Sequence, residues 1–445
     1  MKLHKVSLLL VFFSLLLYYS FAYHLLRTDF IKLITLFAAL FIFCFKLIQF
    51  EKWNGKFLMA AGLLFRLVFL LVEPNLSQDY YRFIWDGELV SHLVNPYLEI
   101  PNILIEQQNL IIANAQELYN GMGSLSAKHF SNYPPLNQMI FAISSILGGK
   151  SIMGAVVVMR LFIIGADIGI VYFGRKLLKH INRSPHLIFW YFLNPLVIIE
   201  LSGNLHFEGV MLFFFVWAMY LLSAEKWKLA AVIYGCSIAI KLVPLLFLPL
   251  FLKYFGLKKS ILFYAIVAAT CILFLIPFYS PEFGSNYSKT IGLWFSNFEF
   301  NAGLYNGIKQ VAILYDAKPW ELIKTYGKIT PILTVLVVLF ITFFRTNQKL
   351  SVLLSSMLFV LTFYFFVSAT VHPWYIIFLV MLGILSDFRY PLMWSMAVVL
   401  SYSAYSNPQF TENLWLLGIE YTLVFGFLLY EIITQGGKKV LLHKN

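Results

Sequence analysis

Charge is scarce in this chain of 445 residues. Only 12% of the residues are Asp, Glu, Lys or Arg, whereas 60% are hydrophobic. A water-soluble protein of this length cannot cover so much apolar surface with so few charges, which indicates that lipid surrounds most of the chain. The net charge of +12 does not predict a nucleic-acid partner, because the basic residues cluster at the ends of apolar runs, as cytoplasmic anchors of membrane helices do.

Cysteines and nucleotide-binding motifs are scarce as well. Three cysteines all lie within apolar runs, and no pair has the spacing of a metal site: Cys44, Cys236 and Cys271. The chain contains neither the Gly-x-x-x-x-Gly-Lys-Ser/Thr phosphate loop nor the Gly-x-Gly-x-x-Gly fingerprint. The lack of a nucleotide site favours a donor substrate that is already activated by a lipid phosphate and whose tail stays in the bilayer.

Long apolar runs fill most of the chain. A membrane-spanning helix needs about 20 apolar residues, and fewer when flanking side chains reach the interface. We therefore predict an all-α polytopic membrane protein with about 12 to 14 transmembrane helices. The predicted spans are 6–26, 30–50, 57–72, 152–174, 186–201, 207–223, 229–255 (interrupted at Lys241), 260–280, 329–344, 350–370, 373–386, 390–405 and 412–432.

Hydrophilic segments divide one predicted domain into three parts. Residues 1–72 form the N-terminal spans, residues 73–150 form a large loop with interfacial helices, and residues 151–445 form the remaining bundle. With the basic ends of the spans in the cytoplasm, the other polar segments gather on the outer face. Because ionisable groups at membrane depth are costly, this convergence predicts a functional site. The segments are loops 73–150 and 281–328, the turn 202–208, Lys241 and residues 371–375.

The first loop carries the candidate catalytic residues. We expect Ser77 to cap a helix over residues 78–93, with Asp79 in its first turn. Asp86 follows two turns later on the same face, and Arg82 lies between the two acids, within reach of either. One interpretation is a base at Asp79, with Arg82 and Asp86 ordering the site or an anionic substrate. The alternative is an interfacial helix with a solvated, ion-paired face.

The motifs of this loop resemble those of a known enzyme class. They are Asp79-Tyr80-Tyr81-Arg82-Phe83, Asp86-Gly87, Asn95-Pro96-Tyr97 and Tyr133-Pro134-Pro135-Leu136. The pattern is similar to the first external loop of GT-C-fold glycosyltransferases, especially the polyprenyl-phosphate-sugar-dependent mannosyltransferases that include the first GPI mannosyltransferase. The resemblance implies a GT-C-like bundle in which Asp79 is the catalytic base or orients the acceptor. That family often has a second acid two residues earlier; Ser77 stands there, which weakens any metal-binding interpretation.

A later polar turn and an interrupted span extend the predicted site. The resemblance implies that Glu208, near Asn204 and His206, positions the acceptor or donor. It also implies that Lys241 contacts the donor phosphate, a task that suits a compact ammonium charge. The alternatives are a helix start capped by Asn204 and a lysine that extends to the outer surface. One His and one Glu make a poor metal-binding set.

Aromatic residues complete the predicted site. The resemblance includes a His-Pro-Trp-Tyr-like signature, in which His372 donates to the phosphate or shuttles a proton and Trp374 stacks on sugar. The alternative is an interfacial aromatic belt. Further predicted substrate-binding residues are Tyr80, Tyr81, Trp85, Tyr133 and Tyr375.

These observations predict a glycosyltransferase that moves a hexose, which the resemblance implies is mannose, from a polyprenyl-phosphate donor to a lipid or glycan acceptor. We expect no cofactor and no required metal, and a site on the outer face of the bacterial cytoplasmic membrane. Two alternatives remain: a lipid-linked sugar transporter or flippase, and a polysaccharide polymerase or ligase. A transporter would show broken helices in two repeated halves, and a polymerase a large Arg-rich late loop; the chain shows no such repeat, and loop 281–328 contains no Arg.

Overall fold

The computed structural model describes residues 2–107 and 110–442, which form a bundle of helices. The helices of the first half are α1 (Lys2–His24), α2 (Phe30–Phe50), α3 (Gly55–Leu67), α4 (Asp79–Ser91), α5 (Pro101–Leu104), α6 (Ala115–Ala127), α7 (Pro135–Gly148), α8 (Ile152–His180), α9 (Phe189–Phe192), α10 (Pro195–Val197) and α11 (Glu208–Ser223). Those of the second half are α12 (Trp227–Ile240), α13 (Phe251–Phe255), α14 (Leu257–Leu275), α15 (Phe283–Ser296), α16 (Gly303–Ile313), α17 (Pro319–Phe344), α18 (Leu350–Val367), α19 (Ile376–Leu385), α20 (Tyr390–Ala397) and α21 (Leu414–Leu442).

The predicted all-α polytopic membrane architecture is confirmed. Among the described residues, 7 helices are long and apolar enough to cross a membrane, or 8 if one pair bent by 53° counts as a single span. Other apolar runs form helices of 10–17 residues. The number of full-length helices is smaller than the number of predicted spans because several runs are interrupted; the run 229–255, for example, breaks after Ile240, where Lys241 is extended and Pro244 opens a 3₁₀ turn.

The helices of the first loop pack tightly on one another. Gly87 in α4 allows this contact with α7, because a Cβ atom at that position would lie 2.5 Å from the carbonyl oxygen of Phe141. One turn earlier, the ring of Phe83 stacks on that of Phe141, with 4.6 Å between the ring centroids. The helix that begins with Asp79 is therefore fixed against α7, an apolar helix of only 14 residues.

The first loop also contacts the second. The Asn95 amide nitrogen donates to the Phe278 carbonyl at 2.8 Å, and the Asn286 amide nitrogen donates to the Tyr97 carbonyl at 3.1 Å. The Tyr97 hydroxyl donates to the Tyr133 carbonyl at 2.5 Å. The motif Asn95-Pro96-Tyr97 thus joins the two loops and connects them to the Tyr133-Pro134-Pro135 motif.

A turn of π-helix brings the polar segment after α10 to the base of the first loop. This turn covers Ile198–Gly203, and the buried Arg160 donates to the carbonyls of Ser202 and Gly203. The side chain of Asn204 then accepts from the backbone N–H of Leu76 at 3.2 Å. Residues far apart in the sequence meet here, at the end of the bundle where the first loop begins.

Candidate active site

Asp79 is the first residue of α4 and is only half-buried. Gln78, rather than the expected Ser77, occupies the N-cap position; the Ser77 hydroxyl accepts from the Asp79 backbone N–H at 3.3 Å. Within residues 2–107 and 110–442, no side chain or backbone group donates a hydrogen bond to the Asp79 carboxylate. An acid at a helix N-terminus with free lone pairs can accept a proton or orient a hydroxyl.

Three charged side chains act on this carboxylate. Burial raises the pKa of Asp79 above its usual value, while the nearby Lys241 and Arg27 lower it and Glu208 raises it. Burial is the largest effect, because the carboxylate loses water without gaining a hydrogen-bond donor from the described residues. A raised pKa makes Asp79 a stronger base than an exposed aspartate.

Lys241 and Glu208 form an ion pair beside Asp79. The ammonium nitrogen lies 2.5 Å from one Glu208 oxygen, and the other Glu208 oxygen is buried without a hydrogen-bond partner in the described part of the chain. Glu208 begins α11 and Lys241 follows the last residue of α12, so two helix ends meet at this point. The structure therefore places Lys241 and Glu208 close enough to Asp79 to change the pKa of its carboxyl.

Arg82 and Asp86 pair with each other instead of with Asp79. The Arg82 Nε lies 2.7 Å from Asp86 Oδ1, and its guanidinium also donates to the carbonyls of Ser126 and His129. The second Asp86 oxygen accepts from the Ser131 hydroxyl at 2.5 Å and from the Gln138 amide at 3.0 Å. This buried network connects α4 to the end of α6 and the start of α7.

Aromatic rings stack along one side of the site. The His206 and Trp374 rings are 3.7 Å apart, Trp374 and His372 are 4.4 Å apart, and His372 and Phe300 are 5.0 Å apart, measured between ring centroids. Burial lowers the pKa of His372 to about 3, with Lys241 adding to the effect. Burial also lowers the pKa of His206 well below its usual value. Both imidazoles are therefore neutral at physiological pH, and His372 can donate or accept a hydrogen bond but carries no positive charge.

The other predicted aromatic residues divide into two groups. Tyr133 and Tyr375 are half-buried, and each hydroxyl interacts electrostatically with Asp79. Tyr80 and Trp85 are buried in the protein core, 2% and 0% exposed, and Tyr80 packs against Tyr81 with 4.1 Å between the ring centroids. The structure thus places Tyr133 and Tyr375 beside Asp79, whereas Tyr80, Tyr81 and Trp85 pack within the loop.

Two further polar groups at this site were not found from the sequence. Arg27, in the turn between α1 and α2, lies with its guanidinium carbon 3.5 Å from the centroid of the Tyr405 ring. Glu200 accepts hydrogen bonds from the Tyr402 hydroxyl and, at 3.2 Å, from the Asn204 amide. The sequence carried one signal: the predicted topology places Arg27 outside, where basic residues are disfavoured.

Metal ligands do not gather at this site. In the described ranges 2–107 and 110–442, no three His, Cys, Asp or Glu side chains are arranged to hold a metal ion. That the reaction requires no metal stays a prediction.

Comparison with known proteins then places the chain in a family. Residues 17–255 match the family model described as alpha-(1→6)-mannopyranosyltransferase, N-terminal domain. The chain belongs to this family. The mannosyltransferase family relationship predicted from the first-loop motifs is therefore confirmed, and the matched range includes Asp79, Glu208 and Lys241.

One curated relative also matches. It is alpha-(1→6)-mannopyranosyltransferase A of Mycobacterium tuberculosis, which is 23% identical over 158 residues. The match covers 35% of this chain and 29% of the relative.

Proposed function

We propose that this protein transfers a mannosyl residue from a polyprenyl-phosphate donor to a hydroxyl of a lipid or glycan acceptor. The observation that carries the proposal is the Asp79 carboxylate. It has no hydrogen-bond donor among the described residues, its pKa is raised by burial, and two cations lie near it. An available base beside positive charge suits a reaction that removes a proton from a hydroxyl and releases a phosphate.

The proposed reaction is a direct displacement at the anomeric carbon. The acceptor oxygen forms the new bond to that carbon while the bond to the phosphate oxygen breaks, and the electron pair leaves with the lipid phosphate. The hydroxyl proton passes to Asp79, which returns it to water after the product departs. A single displacement inverts the anomeric centre, so an α-(1→6) product, as named for the matched family, would require a β-linked donor.

The surrounding residues have distinct proposed roles. Lys241 stabilises the charge that develops on the leaving phosphate, and Glu208 holds Lys241 in position through their ion pair. Trp374 is stacked between His206 and His372, so the edge of its ring, and not a face, borders the sugar. Arg82 and Asp86 position Asp79, because their hydrogen bonds fix α4 to its neighbours.

We further propose that the site opens on the outer face of a bacterial cytoplasmic membrane. In support, Lys and Arg lie between the spans at the other end of the bundle, and basic residues are enriched in the cytoplasmic loops of membrane proteins. Impermeant maleimide should label Glu117→Cys, at an exposed position of α6, in intact cells, and should label Lys228→Cys, at an exposed position in the first turn of α12, only in lysed cells. The reverse labelling pattern would overturn the proposed orientation.

The activity is tested with membranes that contain the protein and with labelled donors. We expect label to move from polyprenyl-phosphate mannose to an extracted lipid or glycan acceptor, and not from a nucleotide-linked mannose under conditions that prevent lipid-donor synthesis. Transfer from the nucleotide sugar alone would exclude the proposed donor. Movement of intact labelled donor across the bilayer without transfer would instead support a flippase.

A further inference from the structure

We infer that Arg27 is a second binding group for the donor phosphate, in addition to Lys241, and that Tyr405 holds Arg27 in place. The inference rests on the proposed function in one respect, namely that the donor carries a phosphate. Arg27 lies in the turn between α1 and α2, and Tyr405 lies in the 3₁₀ segment Val398–Ser406 that follows α20.

Arg27 has no acidic partner among the residues that the structure describes. In residues 2–107 and 110–442, no carboxylate forms an ion pair with its guanidinium, and its Nε is buried without a hydrogen-bond partner. An arginine at the edge of a bundle that is so poor in charge is costly unless an anion or water meets it. The arrangement leaves N–H groups of Arg27 available for a ligand.

Arg27 and Lys241 act on the same groups. Both lower the pKa of the Asp79 carboxyl, and both lower the pKa of His372. They therefore lie around one site, although Arg27 follows the first span and Lys241 follows α12. Lys241 is already paired with Glu208, whereas Arg27 is paired with no acid in the described part of the chain. The planar guanidinium can bind two phosphate oxygens at once, which a lysine cannot do with the same geometry.

The face of the Tyr405 ring packs against the Arg27 guanidinium. The ring lies 3.5 Å from the Arg27 guanidinium carbon and 5.8 Å from the ring of Phe300, the next member of the aromatic stack. A cation held on the face of a ring loses little freedom when it binds an anion, because the ring already fixes its orientation. Tyr405 lies outside the family-matched range 17–255, so the second half of the chain completes a site whose acids lie in the first half.

The test measures binding, not only turnover. The full-length protein in lipid nanodiscs is titrated with a polyprenyl monophosphate that carries no sugar, and with the uncharged polyprenol as a control. We expect the wild type to bind the monophosphate more tightly than the alcohol. Arg27→Ala should weaken monophosphate binding about 10- to 100-fold, the range for loss of a charge-assisted hydrogen bond, and leave polyprenol binding unchanged.

Matched variants separate this role from simpler ones. Lys32→Ala removes a positive charge from the same end of the bundle, where its ammonium donates to the His24 carbonyl, and should leave binding unchanged. Tyr405→Leu removes the ring and should raise the donor KM with a smaller effect on kcat, whereas Tyr405→Phe retains the ring but loses the interaction of the hydroxyl with Arg27 and should have a weaker effect. Arg27→Lys retains the charge, so partial binding by this variant provides a second test if Arg27→Ala fails to accumulate.

The outcomes distinguish this inference from the proposed function. Unchanged monophosphate binding in Arg27→Ala, or equal binding of monophosphate and alcohol by the wild type, would overturn the phosphate site even if mannose transfer is observed. Binding that depends on Arg27 without any mannose transfer would support the phosphate site and contradict the proposed reaction.

Discussion

Two aspartates seven residues apart should respond in opposite ways to the same substitution. Asp86 is fully buried and accepts hydrogen bonds from Arg82, Ser131 and Gln138. Asp86→Asn removes the charge that compensates Arg82, and breaking a buried ion pair from one side costs about 3–5 kcal/mol. Asp79→Asn breaks no hydrogen bond of the carboxylate to any residue the structure describes.

The effect of Asp79→Asn on stability follows from the raised pKa of Asp79. Burial makes the ionised carboxylate less favourable in the folded protein than in the unfolded chain, so at neutral pH the neutral amide should leave stability unchanged or increase it. Activity should fall about 10²- to 10⁴-fold, the usual contribution of a general base. Asp86→Asn should lower activity chiefly through loss of folded protein.

The assay measures unfolding and transfer on the same preparations. Each variant is heated in detergent while tryptophan fluorescence reports unfolding, and mannose transfer is normalised to the folded fraction. We expect a lowered unfolding temperature for Asp86→Asn only. Equal destabilisation by both substitutions would refute the distinction between a structural and a catalytic aspartate.

Two further predictions concern pH and packing. Transfer should decline on acidification because protonation of Asp79 removes the base, and the midpoint that depends on Asp79 should lie above pH 3.8, the usual pKa of an aspartate. His372, with a pKa of about 3, should not contribute to the decline near neutral pH. A midpoint at or below pH 3.8 would contradict the raised pKa of Asp79. Gly87→Ala should destabilise the protein by about 1–3 kcal/mol because its Cβ would meet the Phe141 carbonyl, whereas Gly165→Ala, with open space at the Cβ, should be tolerated in the same thermal assay.

Much of the site could be predicted from polar residues in an apolar chain. The positions of Asp79, Glu208 and Lys241 were found because ionisable groups are expensive near lipid and because span parity places all three on one face. The structure brings these three residues into one electrostatic environment. Topology was sufficient for this result because it depends only on which end of each helix carries the residue.

The partners of individual side chains could not be predicted in the same way. Arg82 is within reach of two acids by helical spacing, and its choice of Asp86 depends on Ser126 and Ser131, which follow more than 40 residues later. The contact between Arg27 and Tyr405 joins the first turn to the last part of the bundle. Sequence periodicity contains no information about such distant contacts.

Mannose transfer by the Asp79→Asn variant, measured together with donor binding in the same proteoliposomes, tests the central claim most directly. We predict that the variant binds polyprenyl-phosphate mannose as the wild type does, that it transfers mannose at least about 100-fold more slowly, and that Asp79→Glu recovers part of the rate. Transfer at the wild-type rate by Asp79→Asn, with donor bound and protein folded, would contradict the assignment of Asp79 as the base.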